Sequence, residues 1–331
     1  MTPTYDITAV GHAIVDVLAP ADDAFLKTHD LHKGAMTLID TYRATNLYEA
    51  MAEGEQVSGG SAGNTIAGAA SFGAKCAYVG KVAHDALGET FARDLKTMGV
   101  TFTTPVLHDD PARTGRCLIN VTPDAQRTMA TYLGAAALIA PSDIDEAIVR
   151  DSQIVYLEGY LFDSPSGRET FAKAAQIARV AGRKTAITLS DTFVVDRWRT
   201  DLLAFIERHI DLVFANESEL LSLFQTDDFY KALRSLRGKT DLAFVTRSEQ
   251  GSVAIKFEDT HTVPASPVDK IVDTTGAGDQ YAAGVMYGLT QGLQIQTCAE
   301  LGSLAAAEVI GHYGPRPLVN LHQLAKDKGL I

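Results

Sequence analysis

Short strand-like runs alternate with amphipathic segments through the second half of the chain. Gln153 to Glu158, Thr185 to Leu189, Asp211 to Ala215 and Asp241 to Arg247 read as strands. Between them, Ser164 to Ala181 reads as a helix stopped by Gly182, Trp198 to His209 as a second, and Asn216-Glu217-Ser218-Glu219 opens a third. Parallel neighbours cannot be joined by a tight hairpin, so each crossover must carry a helix back over the sheet. The alternation therefore predicts a mostly parallel sheet covered by helices on both faces, a three-layer α/β/α arrangement. Ligands in such sheets bind beyond the carboxyl ends of the strands, so residues that follow strands are the ones to inspect.

The first half is less regular. Tyr5 to Val17 reads as one strand ending at Asp16, followed by strand-like Met36 to Ile39 and the strand Lys75 to Val82. Asp85 to Gly99 carries Leu87, Phe91, Leu95 and Met98 on one helical face, with Gly99 as its stop. Val100 to Thr104 and Thr114 to Thr131 then read as strands, with Pro123-Asp124-Ala125 as a turn. This β-rich patch, with the segment after Asp16, interrupts the alternation and predicts a small separate sheet. Ser142 is expected to cap a short helix with Glu146 near its start. Strands at Ser252 to Phe257 and Thr260 to Val263, and helices from Thr275, from Gln296 and near Leu321, complete the chain. With 331 residues, 46% of them hydrophobic, the length allows one large α/β domain or two smaller ones, and no linker or repeat divides the chain.

The late stretch Asp273-Thr274-Thr275-Gly276-Ala277-Gly278-Asp279 has an almost bare backbone just before an apolar helix with Tyr281, Val285 and Leu289 at spacings of four. The N–H groups of Gly276, Ala277, Gly278 and Asp279 would be the unpaired donors of a helix N-terminus, which attracts anions. A carboxylate repels an anion, so Asp279 needs a separate reason to be there. Taking a proton from a hydroxyl that attacks a phosphoryl group is one.

Other candidates have plain structural readings beside the functional ones. Asp16 is either a strand-end carboxylate or a ligand for substrate hydroxyls. Val57 to Asn64 holds a second glycine turn, Gly59-Gly60-Ser61-Ala62-Gly63-Asn64, feeding a small-residue helix in which Asn64 could be a cap. Asn216 and Glu219, three apart at a helix start, form either a capping box or a hard-oxygen site ordering water around Mg²⁺.

Taken together at these positions, the pieces resemble the ribokinase (PfkB) family of carbohydrate and nucleoside kinases over nearly the whole chain. The carrying motifs are Asp273 to Asp279, which matches the pattern D-T-x-G-A-G-D, the Gly59-Gly60…Asn64 turn and the Asn216-x-x-Glu219 element. The resemblance implies a single ribokinase-like α/β domain over 1–331 with a small β-sheet lid, formed from segments of about 17–55 and 100–133. It implies Asp279 as the base, the Gly276-Ala277-Gly278 amides as an anion hole, and Asp16, Gly59, Gly60 and Asn64 as the acceptor site. It also implies Asn216 and Glu219 supporting Mg²⁺ through water, and Thr246, Ser248, Gly251 and Thr275 beside ATP. Some members need K⁺, which Asp273 and Thr275 could help to hold with carbonyls from near Gly314. Ser61 stands where ribokinases carry lysine, and Thr114-Gly115-Arg116-Cys117 with Tyr132-Leu133-Gly134-Ala135-Ala136 is similar to the adenosine kinase branch.

That similarity predicts adenosine, phosphorylated by ATP on its 5′-hydroxyl to give AMP, as in purine salvage. Guanosine or inosine comes second, and a free sugar such as ribose or fructose is the wider alternative. A non-catalytic sugar- or nucleoside-binding protein is the alternative of another class, disfavoured because binding alone has no need of Asp279. Phe25, Tyr132 and Tyr160 are the candidates for stacking on a base.

The remaining composition narrows partners and setting. A net charge of −12 argues against general nucleic-acid binding. No run approaches the ~18 apolar residues of a membrane span, and Met1 to Ile14 lacks the pattern of a secretory signal. Cys76, Cys117 and Cys298 are scattered without metal-like spacing, which suits a reducing cytoplasm. Either a monomer or a homodimer is compatible with these features, since a partner can cover an exposed lid face.

Overall fold

The structure is a computed structural model that describes residues 3–108, 110–124 and 126–331. Its strands are β1 (Tyr5–Val10), β2 (Ile14–Pro20), β3 (Met36–Leu38), β4 (Glu55–Gly59), β5 (Cys76–Val79), β6 (Thr101–Phe102), β7 (Gly115–Val121), β8 (Arg127–Tyr132), β9 (Ser152–Glu158), β10 (Lys184–Thr188), β11 (Leu212–Asn216), β12 (Leu242–Thr246), β13 (Ser252–Lys256) and β14 (Asp259–Val263). They form a nine-stranded sheet, in the order β14-β13-β12-β11-β10-β9-β1-β5-β6, and a five-stranded sheet, in the order β3-β8-β7-β2-β4.

Every neighbour pair from β12 to β6 in the large sheet is parallel, and only the pairs β12–β13 and β13–β14 at one edge are antiparallel, so that β13 alone runs against the rest. The strand residues alternate between two apolar layers, as the period of two requires. Tyr156, Phe214 and Phe244 join Ile66, Tyr281 and Leu301 from the helices Ser61–Ser71, Ala277–Thr290 and Ile295–Ile310. Val155, Leu157, Val213 and Val245 join Phe171, Leu202, Leu220 and Leu233 from the helices on the other face. This is the ribokinase-like three-layer α/β fold expected from the sequence, with a second, smaller sheet.

The small sheet is mixed: β2 pairs parallel with β7 and antiparallel with β4, β7 and β8 form a hairpin, and β3 is parallel to β8. Its alternation separates two environments. Val15, Val17, Leu118 and Ala130 share an apolar cluster with Leu26 and Leu47, from the helices Asp23–Thr28 and Thr41–Ala50. Ile14, Asp16, Cys117, Ile119, Met129 and Thr131 face the cleft between the sheets.

Several local expectations are corrected. The run Tyr5 to Val17 is two strands, β1 in the large sheet and β2 in the small one, with the chain crossing at Gly11–Ala13. Asp16 therefore sits within β2 rather than at a strand end. Strand propensity is local, whereas membership of a sheet is decided by partners far away in sequence. The Val100 to Thr104 strand shrinks to β6 and pairs with β5 at the edge of the large sheet, not with the small one. Phe102 anchors it there, with ring centroids 5.5 Å from Phe91 and 6.2 Å from Tyr78. The small-sheet strands accordingly lie within 14–59 and 115–132. Asp145, not Ser142, caps the helix Glu146–Arg150. The helix Thr192–His209 starts before Trp198, which has non-helical angles and kinks it. The expected turn at Pro123 to Ala125 ends on Ala125, which lies outside the described residues. Among the described residues, no helix is long and apolar enough to cross a membrane.

Candidate active site

A cleft of about 510 Å³ opens where the carboxyl ends of β9 to β12 and the helix starts of Ser61–Ser71 and Ala277–Thr290 meet the small sheet. It brings together Asp16, Gly60, Asn64, Asn216, Glu219, Thr246, Thr275, Gly276, Ala277, Gly278 and Asp279. Gly59, Ser248, Gly251 and Asp273 do not line it. Gly59 packs behind Asp16, whose carboxyl carbon would stand 2.4 Å from a Cβ there. Ser248 and Gly251 form the turn between β12 and β13, and only Thr246 of that segment reaches the cleft.

Two glycines make the floor possible. Gly60 caps the helix Ser61–Ser71 at φ +81, and Gly276 caps Ala277–Thr290 at φ +80, a region that side chains disfavour. A Cβ would also stand 2.5 Å from His12 O at Gly60, and 2.6 Å from Pro315 at Gly276. The amide of Ala277 donates to Thr274 O at 3.2 Å. Among the described residues, no acceptor takes the amides of Gly276, Gly278 or Asp279, which leaves these three as donors at the positive end of a fourteen-residue helix.

Asp279 lies in the first turn of that helix, next to the other glycine turn. Its Oδ1 accepts from the Ser61 hydroxyl at 2.6 Å and its Oδ2 from Asn64 Nδ2 at 3.3 Å. Burial raises its pKa to about 7, against the opposing pull of these two hydrogen bonds and with the charges of Glu158 and Asp16 adding to the rise. Behind it, the buried Gln280 donates to Asn64 O and Pro315 O, both at 2.9 Å, tying the two helix starts together. Asp16, also buried, has its pKa raised to about 6 by burial, with Arg316 and Arg127 pulling the other way.

Asn216 and Glu219 form a reciprocal capping box. Asn216 N and Nδ2 donate to Glu219 at 3.0 and 2.7 Å, and Glu219 N donates to Asn216 Oδ1 at 2.8 Å. Glu219 still lines the cleft, and burial, aided by the charge of Asp191, holds its pKa up at about 7. Both its oxygens already accept, so the arrangement fits a cation approached through water better than direct ligation. Asp273 is committed elsewhere. It accepts from Thr275 N and Oγ1 at 3.1 and 2.7 Å and from Gly314 N at 3.1 Å, and it pairs with Arg127 Nη1 at 2.9 Å. Those partners leave Asp273 poorly suited to K⁺, because an added cation would face the Arg127 charge.

Sequence reasoning missed part of the lining. His12 and Glu158 meet at 2.8 Å, and Glu158 also accepts from Ala62 N at 2.8 Å. Glu158 ends an apolar strand, the same signal that singled out Asp16. Asp163 and Asp191 add further carboxylates, and among the described lining residues there is no lysine or arginine. Of the three stacking candidates only Tyr160 lines the cleft, together with Phe193, Phe214 and Phe244. Phe25 packs against the cluster on the outer face of the small sheet, and the Tyr132 hydroxyl accepts from Thr41 on the helix there. The three cysteines are buried and free, and Cys117, a cleft residue, has its thiol pushed up to about 12 by burial.

The family model described as pfkB family carbohydrate kinase matches residues 34–320. The chain belongs to the pfkB family of carbohydrate kinases. As a pfkB kinase it is a phosphotransferase with an alcohol group as acceptor, using ATP and a nucleoside or sugar. An adenosine kinase of Sinorhizobium meliloti is 47% identical, with a TM-score of 0.90 over 98% of this chain and 99% of that one. A structure described as a probable sugar kinase protein from Rhizobium etli CFN 42 is 44% identical, with a TM-score of 0.92 over the whole of both chains. The adenosine kinase of Saccharomyces cerevisiae is 29% identical over 94% of this chain and 96% of its own. This pfkB kinase is thus similar to proteins described as nucleoside kinases and as a sugar kinase.

Proposed function

We propose that the enzyme transfers the γ-phosphoryl group of ATP to the 5′-hydroxyl of adenosine, giving AMP and ADP. The observation that carries this reading is the two-sided acceptor half of the cleft. Asp16, Gly60 and Asn64 offer a polar floor for vicinal ribose hydroxyls. Ile14, Ile119, Met129 and Leu133 of the small sheet and its flank, with Met36 and Leu38, offer an apolar wall. A free sugar has hydroxyls on every side and leaves such a wall unused, whereas a nucleobase has two apolar faces. The similarity to the Sinorhizobium meliloti adenosine kinase supports the same choice.

In this reading Asp279 accepts the proton of the 5′-hydroxyl as that oxygen bonds to the γ-phosphorus and the bond to the bridging oxygen breaks, releasing ADP. The free amides of Gly276, Gly278 and Asp279 stabilise charge on the transferring group. Asn216 and Glu219 would hold Mg²⁺ through water, and the ion would supply positive charge to a lining that has carboxylates but no lysine or arginine among its described residues. Thr246 and Thr275 stand beside ATP. The small sheet acts as a lid, excluding water. Its outer face is covered by the chain's own helices, which supports a monomer, and buried free cysteines suit the cytoplasm.

The test is ADP release from Mg-ATP with adenosine, guanosine, inosine, ribose and fructose. The reading expects the highest kcat/KM for adenosine. A higher value for a free sugar overturns it in favour of a sugar kinase.

A further inference from the structure

Arg316 belongs to none of the motifs in the sequence. It lies in the turn Gly314-Pro315-Arg316-Pro317, between the helices Ile295–Ile310 and Leu321–Asp327, and reaches in behind the floor of the cleft. Its Nε donates to Asn64 Oδ1 at 3.3 Å and its Nη1 to Ser58 Oγ at 2.8 Å. Its Nη2 is sealed from solvent without a hydrogen-bond partner. Burial disfavours the charged guanidinium, and an unpaired buried N–H adds to the cost. Such an arrangement serves stability badly, so its use has to be sought in what it touches.

It touches Asn64 of the polar floor, and Ser58 on the strand beside it. An amide side chain can present either its oxygen or its nitrogen to a neighbour, but a guanidinium only donates. Arg316 therefore requires Asn64 to turn Oδ1 toward it, which leaves Nδ2 facing Asp279 Oδ2. A flipped amide would set N–H against N–H on one side and oxygen against oxygen on the other. The same guanidinium is the stronger of two cations that favour ionised Asp16, the other being Arg127. The remaining titratable neighbours of Asp16 are Asp279, which opposes its ionisation, and the Cys117 thiol paired across from it in β7.

We propose that Arg316 is a positioning residue for the acceptor: it ties the Asn64 amide to Ser58 of β4 and locks that amide toward Asp279. The proposal rests on the assignment above of Asp16 and Asn64 to the acceptor and of Asp279 to the proton transfer.

Steady-state rates of Arg316→Gln, Arg316→Lys and the wild type, measured from pH 5.5 to 9, test it. For Arg316→Gln the acceptor KM rises about tenfold while the KM for Mg-ATP stays within about twofold, and the acidic limb of kcat/KM moves to higher pH. Arg316→Lys keeps the charge and returns the limb toward wild type, but one ammonium cannot hold Asn64 and Ser58 together, so the raised KM persists. An unchanged acceptor KM and limb overturn the proposal, as does a loss shared equally by both substrates with no movement of the limb. If Arg316→Gln does not fold, Ser58→Ala decides, since it loosens one anchor and leaves the charge. It is expected to raise the acceptor KM about threefold with the limb in place, and an unchanged KM overturns the proposal. A wild-type preference for a free sugar overturns the adenosine reading alone, because the same KM and limb are then read on that sugar.

Discussion

Asp279→Asn is the substitution on which the reaction assignment turns. The change nearly preserves shape and removes the proton acceptor. General-base catalysis contributes about 10²–10⁴ in rate, so kcat at pH 8 is expected to fall by that factor while adenosine binding, measured by calorimetry, persists. The pH dependence sharpens the expectation. The wild-type carboxyl, raised to about 7 chiefly by burial, is about 3% ionised at pH 5.5, so kcat should drop roughly thirtyfold between its plateau above pH 8 and pH 5.5. The variant should lack that limb. Stability supplies an independent check. A carboxyl whose folded pKa exceeds its unfolded value binds its proton more tightly when folded, so this contribution is full below the unfolded value of 3.8 and is lost as pH rises through about 7. The melting temperature of the variant relative to the wild type should therefore climb from pH 4 to pH 7. A variant kcat within about tenfold of wild type refutes the base assignment. A limb that survives near pH 7 transfers the ionisation to Glu219 or Asp16, whose carboxyls are raised to about 7 and about 6.

Three further substitutions probe other parts of the cleft. Glu219→Gln removes one acceptor of the capping box and the charge behind the metal position, and Mg²⁺ titration at fixed ATP should show a requirement raised about 10- to 100-fold with adenosine KM unchanged. Gly276→Ala places a Cβ 2.6 Å from Pro315 at φ +80, which should cost about 1–3 kcal/mol in a denaturation experiment and about 10² in kcat as the amide donors shift. Met129→Ala thins the apolar wall and should raise adenosine KM about three- to tenfold. A matching rise for ribose would show that the wall does not meet the base.

The βα alternation of the second half was legible because helix and strand periods are local properties of ten or so residues. So was the late glycine turn, since positive φ at Gly276 is a demand on one residue type. The Asn216–Glu219 box was equally visible, because its partners are three residues apart. These features, determined by the sequence itself, suffice for the three-layer fold and for a phosphoryl-transfer chemistry. What only the tertiary structure decided depends on groups distant along the chain. The run Tyr5 to Val17 has uniform strand character, yet β1 and β2 belong to different sheets because their hydrogen-bonding partners differ. Tyr132 and Tyr160 read alike, but the alternation of β8 turns Tyr132 away from the cleft. The pKa values of Asp16 and Asp279 follow from burial, which no local pattern specifies. Arg316 was invisible to sequence reasoning because its partner Asn64 lies 252 residues away, and a single charge in a Gly-Pro turn carries no periodicity to announce it. The sequence settles what the backbone must do over short spans, while the direction of each polar side chain at the site is settled by the folded neighbours that shield it from water.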